Sequence, residues 1–135
     1  MKTRLLFIIA LFVAIHCSAR SKEKDIVGRW TFYKLTVTKG EQEVDSVTTE
    51  INSVFIFSED GTYTETKVTP DKSKKTQSGK WKLVEGGKIL RLYNEGEPGS
   101  DFDLEITKFK GTRYLTYSWH DSPFAPETIF YKKEK

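Results

Sequence analysis

Cysteine and histidine are scarce in this 135-residue chain, which excludes most of the chemistry that depends on them. The single cysteine is Cys17, and the two histidines are His16 and His120. Cys17 and His16 fall in a predicted leader, so the folded part has no disulfide, no thiol ligand and one histidine. A zinc site needs more nitrogen and sulfur ligands than that. We therefore predict no metal and no cofactor, and a fold held by packing and by its sheet hydrogen bonds.

Long apolar runs are absent except at the N-terminus. Lys2 and Arg4 precede an apolar stretch over residues 5–15, which is too short to span a bilayer as a stable helix. A positive start followed by a short apolar run is typical of an export leader. The sequence therefore predicts an exported protein without a transmembrane span in its mature part.

Two processing events fit the end of this leader. Cys17-Ser18-Ala19 supplies the small residues of an ordinary cleavage site, which predicts a signal peptide over residues 1–19. The alternative is a leader over residues 1–16 and a lipid-modified Cys17. In the first case the protein is periplasmic or secreted, and in the second it is lipid-anchored in the cell envelope.

An excess of one charge sign is also absent. The net charge of +3 falls to +1 when Lys2 and Arg4 leave with the leader. That balance indicates neither a nucleic acid nor an anionic membrane as partner, and it suits a soluble surface. One segment is rich in lysine, and we interpret it as a solvated hairpin tip; it contains Lys67, Lys72, Lys74, Lys75, Lys80 and Lys82.

Helical periodicity is lacking after Asp25. Turn signals instead recur about every 8–12 residues, a spacing typical of an all-β sandwich or barrel. We predict a tether over residues 20–27 and a single antiparallel eight-stranded β-barrel over residues 28–133. The last strand can pair with the first and close the sheet. The strands are expected near residues 28–37, 53–58, 62–68, 79–84, 88–93, 102–106, 113–119 and 128–132.

Three segments depart from regular strand patterning. The apolar side chains of the first strand change parity after Phe32, which predicts a β-bulge near Tyr33. Residues 38–50 are polar and weakly patterned, and we expect a loop, a lid or a short helix there. Residues 69–78 are expected to form a long hairpin tip.

Three motifs carry a resemblance to a known group of proteins. They are Gly28-Arg29-Trp30, Phe55-x-Phe57-x-x-Asp60-Gly61-x-Tyr63 and Gly79-x-Trp81-x-Leu83. Together they resemble the lipocalin-like domains of small exported bacterial proteins, many of them from Bacteroidetes, over the whole mature chain. The resemblance implies a closed barrel, and proper lipocalins bind small hydrophobic molecules inside it. This chain lacks their Thr-Asp-Tyr turn motif and their disulfide, and it is shorter, so the resemblance transfers a fold more firmly than a function.

A barrel of this kind has an interior that can hold a ligand or be filled by side chains. We predict that Gly28 and Trp30 form a structural plug at one end. The predicted ligand-binding interior consists of Phe55, Phe57, Tyr63, Trp81, Leu83, Leu90, Leu92, Leu115 and Tyr117. The alternative is that these side chains pack together and leave no void.

Four polar residues are candidates to orient a ligand: Tyr63, Arg91, Tyr93 and Arg113. A buried arginine would call for a carboxylate such as a fatty-acid head group. The alternative places Arg91 and Arg113 on the outer face, and strand parity favours it if Leu90 and its partner Leu92 point inward.

Catalysis and metal binding find little support in the sequence. His120-Asp121-Ser122 contains the residue types of a hydrolase triad, but adjacent residues point apart and cannot form the relay. Acidic residues recur at period two near the sixth strand, about 7 Å apart, too far to share one ion without a loop. We interpret them as a solvated face; they are Glu95, Glu97, Asp101, Asp103 and Glu105.

The sequence thus predicts a non-catalytic domain that binds a small hydrophobic or amphipathic molecule inside an exported barrel. The alternative is an envelope protein–protein interaction module with a filled core. No nucleic-acid partner is expected, and we expect a monomer.

Overall fold

The computed structural model describes residues 22–39, 42–46, 52–69, 71–97, 99–119 and 127–135. The predicted signal peptide, the candidate lipidation site Cys17 and the motif His120-Asp121-Ser122 lie outside the described residues. Nine strands are present among these residues. They are β1 (Gly28–Lys39), β2 (Gln42–Ser46), β3 (Asn52–Phe57), β4 (Thr62–Val68), β5 (Lys74–Val84), β6 (Ile89–Asn94), β7 (Phe102–Phe109), β8 (Thr112–Trp119) and β9 (Glu127–Lys133).

Eight of these strands form a closed antiparallel barrel. Strands β3 to β9 pair in chain order, and β1 pairs with both β3 and β9. The β1–β9 ladder runs from the pair Trp30 and Lys133 to the pair Val37 and Glu127, and it removes both edges of the sheet. The predicted eight-stranded antiparallel barrel, closed by its first and last strands, is confirmed.

The first strand bends where its sequence changes parity. The register between β1 and β9 shifts between Phe32 and Lys34, which confirms the predicted bulge near Tyr33. The extra residue lets Trp30 and Leu35 both face the core although five positions separate them, and their side chains are 1% and 5% exposed.

Two predicted loops contain strand. Within residues 38–50, expected to be a loop, a lid or a short helix, Gln42–Ser46 form β2, which pairs with β1 beyond the part that pairs with β3. The expected hairpin tip 69–78 is also too long, because β5 begins at Lys74 and not near Gly79. Both segments are strands because their backbones pair with a neighbouring strand. Neither has the alternating apolar pattern from which a strand is predicted in a sequence.

A helical turn over residues 22–26 covers one end of the barrel. Ile26 is 1% exposed, and its carbonyl accepts a 2.7 Å hydrogen bond from the Trp30 indole Nε1. Lys22 donates to the carbonyl of Gly86 at 2.9 Å. Part of the segment predicted as a tether over residues 20–27 is therefore packed on the barrel, because Ile26 is apolar enough to enter the core. None of the helices among the described residues is long and apolar enough to cross a membrane.

Candidate functional site in the barrel interior

The end of the barrel under the helical turn, here called the closed end, is packed by aromatic and aliphatic side chains. Trp30 lies there, near the start of β1, whose first residue Gly28 has a φ of 131°. Trp81 donates its indole N–H to the carbonyl of Ser58 at 3.1 Å and meets Phe57 edge-on at 6.0 Å. This placement supports the plug role of Gly28 and Trp30, which stays a prediction.

The predicted interior residues share one side of the barrel wall. Leu83 and Tyr117 are half-buried against the core. The others are at most 8% exposed: Phe55, Phe57, Tyr63, Trp81, Leu90, Leu92 and Leu115. Their role in ligand binding stays a prediction, and of the nine only Phe55 and Tyr117 line the larger cavity described next.

A cavity of about 310 Å³ occupies the opposite end, here called the open end. Two of its lining side chains, Lys67 and Glu97, are exposed, so the cavity reaches solvent. Its volume lies at the lower limit of about 300–1,000 Å³ for small-molecule pockets. The apolar lining is Phe55, Phe102, Leu104, Tyr117, Ile129 and Tyr131, and the polar lining is Glu65, Lys67, Gln77, Asn94, Glu97 and Ser100.

Aromatic rings brace the apolar wall of this open-end cavity. Phe55 meets Tyr131 edge-on at a centroid distance of 5.0 Å and Phe102 at 6.4 Å. Phe102 in turn meets Tyr117 edge-on at 6.0 Å. Such pairs hold their rings in defined orientations, so the wall is a preformed apolar surface.

The polar wall is built around a buried carboxylate that sequence reasoning missed. Glu65 is 2% exposed, and it accepts hydrogen bonds from Ser53 Oγ at 3.1 Å and Gln77 Nε2 at 2.5 Å. The ammonium of Lys67 lies 3.3 Å from Glu65 Oε1. In the sheet Glu65 stands opposite Phe55 on β3 and Gln77 on β5, which brings these side chains to one height of the barrel.

Strand parity was the signal that could have found Glu65. Tyr63 was predicted to face inward, and side chains two residues apart share a face. Glu65 therefore had to follow Tyr63 into the interior, and Lys67 had to follow Glu65. In the structure Lys67 lines the mouth of the open-end cavity, where its side chain is 58% exposed. The other predicted hairpin lysines are exposed: Lys72, Lys74, Lys75, Lys80 and Lys82.

Two tyrosines near this carboxylate have raised pKa values. Burial raises the pKa of Tyr131 to about 12, a hydrogen bond with Ser53 opposes the rise, and Glu65 adds to it. Burial, followed by the charges of Glu65 and Glu95, raises the pKa of Tyr63. The buried Tyr63 hydroxyl has no hydrogen-bond partner among the described residues.

Neither of the arginines proposed as ligand-orienting groups lines the open-end cavity. Arg91 forms two hydrogen bonds with Asp103, at 2.8 and 2.9 Å, while its neighbours Leu90 and Leu92 are fully buried. Arg113 pairs with Asp25 of the helical turn at 2.8 Å. The alternative that places the arginines on the outer face is therefore confirmed for Arg91 only. Arg113 shares the inward parity of the buried Leu115 on β8 and lies at the closed end, beside the smaller cavity described below.

Of the remaining polar candidates, Tyr93 is 36% exposed, so among the four only Tyr63 is buried. The acidic residues of the sixth predicted strand alternate with inward Phe102 and Leu104, and Asp103 is paired with Arg91. Within the described part of the chain, no group of three or more acidic, histidine or cysteine residues could hold a metal ion. Glu95, Glu97, Asp101 and Glu105 are exposed.

A second cavity of about 110 Å³ lies under the helical turn, beside Ile26 and Ile106. Lys22, Asp25 and Arg113 surround it. It is smaller than ordinary small-molecule pockets. The open-end cavity is therefore the better candidate site.

The barrel is similar to solved structures from Bacteroides. A lipocalin-like protein from Bacteroides uniformis superposes with a TM-score of 0.53 at 11% identity, over 82% of this chain and 99% of that one. The domain has a lipocalin-like fold. An uncharacterized protein from Bacteroides eggerthii gives a TM-score of 0.50 at 13% identity, over 80% of this chain and 98% of that one. The predicted lipocalin-like resemblance is confirmed.

The lipocalin-like domain also has a more distant structural relative in lobster apocrustacyanin A1, with a TM-score of 0.42 and 15% identity, over 90% of this chain and 66% of that one. No family sequence model matches the chain, and no curated protein matches it. At these identities the similarity establishes the fold, so function has to be argued from the cavity.

Proposed function

We propose that the lipocalin-like domain binds a small hydrophobic or amphipathic molecule in the open-end cavity and performs no catalysis. The observation that carries this proposal is the cavity of about 310 Å³ with one wall of aromatic and aliphatic side chains. Binding sites for small molecules combine such a wall with a few placed polar groups. Here those groups are Glu65 and Gln77, which the sheet register holds on the opposite wall.

The driving force is burial of apolar surface, at about 25 cal/mol per Å². A ligand that buries about 200 Å² against the aromatic wall gains about 5 kcal/mol before the entropic cost of association. A cavity near the lower size limit thus suits a carrier or sensor that binds its ligand weakly and reversibly.

The interaction-module alternative receives one supporting observation. Tyr33, Ile56 and Phe109 are 49%, 44% and 64% exposed on the outer surface. The filled core that this alternative assumes is less well supported, because the cavity leaves space inside the barrel. We further propose that the protein is exported, that its leader is processed either by cleavage after Ala19 or by lipidation of Cys17, and that it is a monomer.

A matched pair of substitutions tests the binding proposal. Ile129→Phe enlarges a side chain that lines the cavity, whereas Ile56→Phe makes the same change on the outer surface, where Ile56 is 44% exposed. Binding of the neutral dye N-phenyl-1-naphthylamine is measured by fluorescence, with urea unfolding as the check on folding. We expect Ile129→Phe to weaken dye binding about tenfold or more and Ile56→Phe to leave it unchanged.

Failure of the wild-type protein to bind the dye, or equal binding by both variants, would contradict the proposal. Native mass spectrometry of protein purified from its own host gives an independent readout. It should show a co-purified small molecule with the wild type and less of it with Ile129→Phe.

A further inference from the structure

The charges around the open-end cavity are distributed unequally between its depth and its rim. Among the described residues Glu65 is the one charged side chain that is buried, at 2% exposure. The cation nearest to it, Lys67, has a side chain that is 58% exposed. Arg91 is paired with Asp103 on the outside of the barrel, and Arg113 is paired with Asp25 at the closed end. The open-end cavity therefore presents a buried negative acceptor to a ligand, and the cation that lines it, Lys67, lies at the mouth.

Glu65 is held in place without any cation from the barrel core. Ser53 and Gln77 donate to different oxygens of its carboxylate, from strands on either side of β4. Both donors are neutral, so they orient the carboxylate without cancelling its charge. The ammonium of Lys67 supplies the opposite charge, and its long flexible stem allows it to move into solvent when another donor replaces it.

We propose that Glu65 selects the head group of the ligand: the cavity takes an apolar body that carries an amine or a hydroxyl, and it rejects a carboxylate. This inference rests on the proposed binding function and specifies its substrate class. A protonated amine replaces the Lys67 ammonium at Glu65, and a hydroxyl donates a neutral hydrogen bond to the same group. A carboxylate faces Glu65 as a like charge in a poorly solvated wall, where such repulsion is strong.

Three probes of equal chain length separate these head groups: octylamine, octanol and octanoate. Their affinities are measured by isothermal titration calorimetry on the full domain at neutral pH, with competition against N-phenyl-1-naphthylamine as a second readout. For the wild type we expect the order octylamine, octanol, octanoate, with octylamine bound at least about tenfold more tightly than octanoate.

Glu65→Gln keeps the shape of the side chain and removes its charge. We expect it to reduce the preference for octylamine over octanoate to about threefold or less while octanol binding changes little. Glu105→Gln is the matched control, because Glu105 is exposed on β7, and it should retain the wild-type order. Circular dichroism and urea unfolding establish that each variant is folded.

Lys67→Gln provides a test that does not disturb the core, since Lys67 is exposed. It removes the cation that competes for Glu65, so octylamine affinity should rise about threefold and octanoate affinity should fall. Octanoate bound as tightly as octylamine by the wild type, or an amine preference that persists in folded Glu65→Gln, overturns the head-group assignment but leaves the binding function standing. Failure of the dye and all three probes to bind the wild type overturns both.

Discussion

The closed and open ends of the barrel use the same inward-facing strand positions for opposite purposes. At the closed end the indole N–H groups of Trp30 and Trp81 donate to backbone carbonyls, so large rings fill the space with their polar atoms satisfied. At the open end aromatic rings line one wall only, a side-chain network centred on Glu65 forms the opposite wall, and space remains between them.

The change from one end to the other occurs on three neighbouring strands, within one inward-facing position of the same register. Moving toward the mouth, each inward row passes from large apolar side chains to polar ones. The rows are Tyr63, Glu65 and Lys67 on β4; Trp81, Gly79 and Gln77 on β5; and Leu90, Leu92 and Asn94 on β6. Because parity is unbroken along each row, residue type alone decides where the barrel is filled and where it opens.

The largest expected contrast is between phenylalanines at the two ends. Phe57→Ala removes a ring that is 1% exposed and packed against Trp81, and it should lower the free energy of unfolding by about 3–5 kcal/mol. Phe102→Ala removes a half-buried ring that already faces the cavity, and it should cost about 1–2 kcal/mol. Urea unfolding of both variants measures the difference. Equal losses would mean that the two ends are packed alike.

The boundary between the two ends is tested at Gly79. A Cβ at this position would lie 1.9 Å from the backbone oxygen of Tyr93 and 2.9 Å from the Tyr63 ring. Gly79→Ala must therefore move β6 or Tyr63, and we expect a loss of about 2–3 kcal/mol in urea unfolding. At the control position Gly96 the nearest atom is the Asn94 Oδ1 at 3.6 Å, so Gly96→Ala should be close to neutral. A neutral Gly79→Ala would contradict the close approach.

The smallest expected effect concerns the alkaline stability of the open end. The pKa of Tyr131 is about 12 in the folded protein, against an ordinary value of 10.0 for a tyrosine in water. The unfolded chain thus releases this proton first, and stability falls by about 2 kcal/mol as the pH rises from 10 to 12.

Tyr131→Phe, which cannot ionise, should show a shallower loss over the same interval. Tyr63, whose pKa is also raised, contributes a slope in the same direction in both proteins. Urea unfolding at a series of alkaline pH values measures both proteins. Identical slopes would show that Tyr131 is not buried beside Glu65.

Sequence patterns predicted the barrel better than the cavity. Alternation and turn spacing were sufficient for the eight barrel strands, their closure and the bulge near Tyr33. Strand β2 and the early start of β5 were not predicted, because these segments have no alternating apolar pattern. Hydrogen bonds to a neighbouring strand stabilise them instead. The nine interior residues were predicted because they are apolar or aromatic, and most residues of that kind lie at the filled end of the barrel. Glu65 and Gln77 line the open-end cavity but are polar, so they were not predicted.

The Glu134 carboxylate pairs with Arg29 at 3.1 Å, and Lys133 donates to the backbone oxygen of Asp25 at 3.0 Å. The polypeptide therefore enters and leaves the barrel side by side, on the side away from the mouth. A fluorescent label, a fusion partner or a surface linkage attached at either location would leave the mouth unobstructed. A short connector between these two locations would also permit circularly permuted versions for biosensor work.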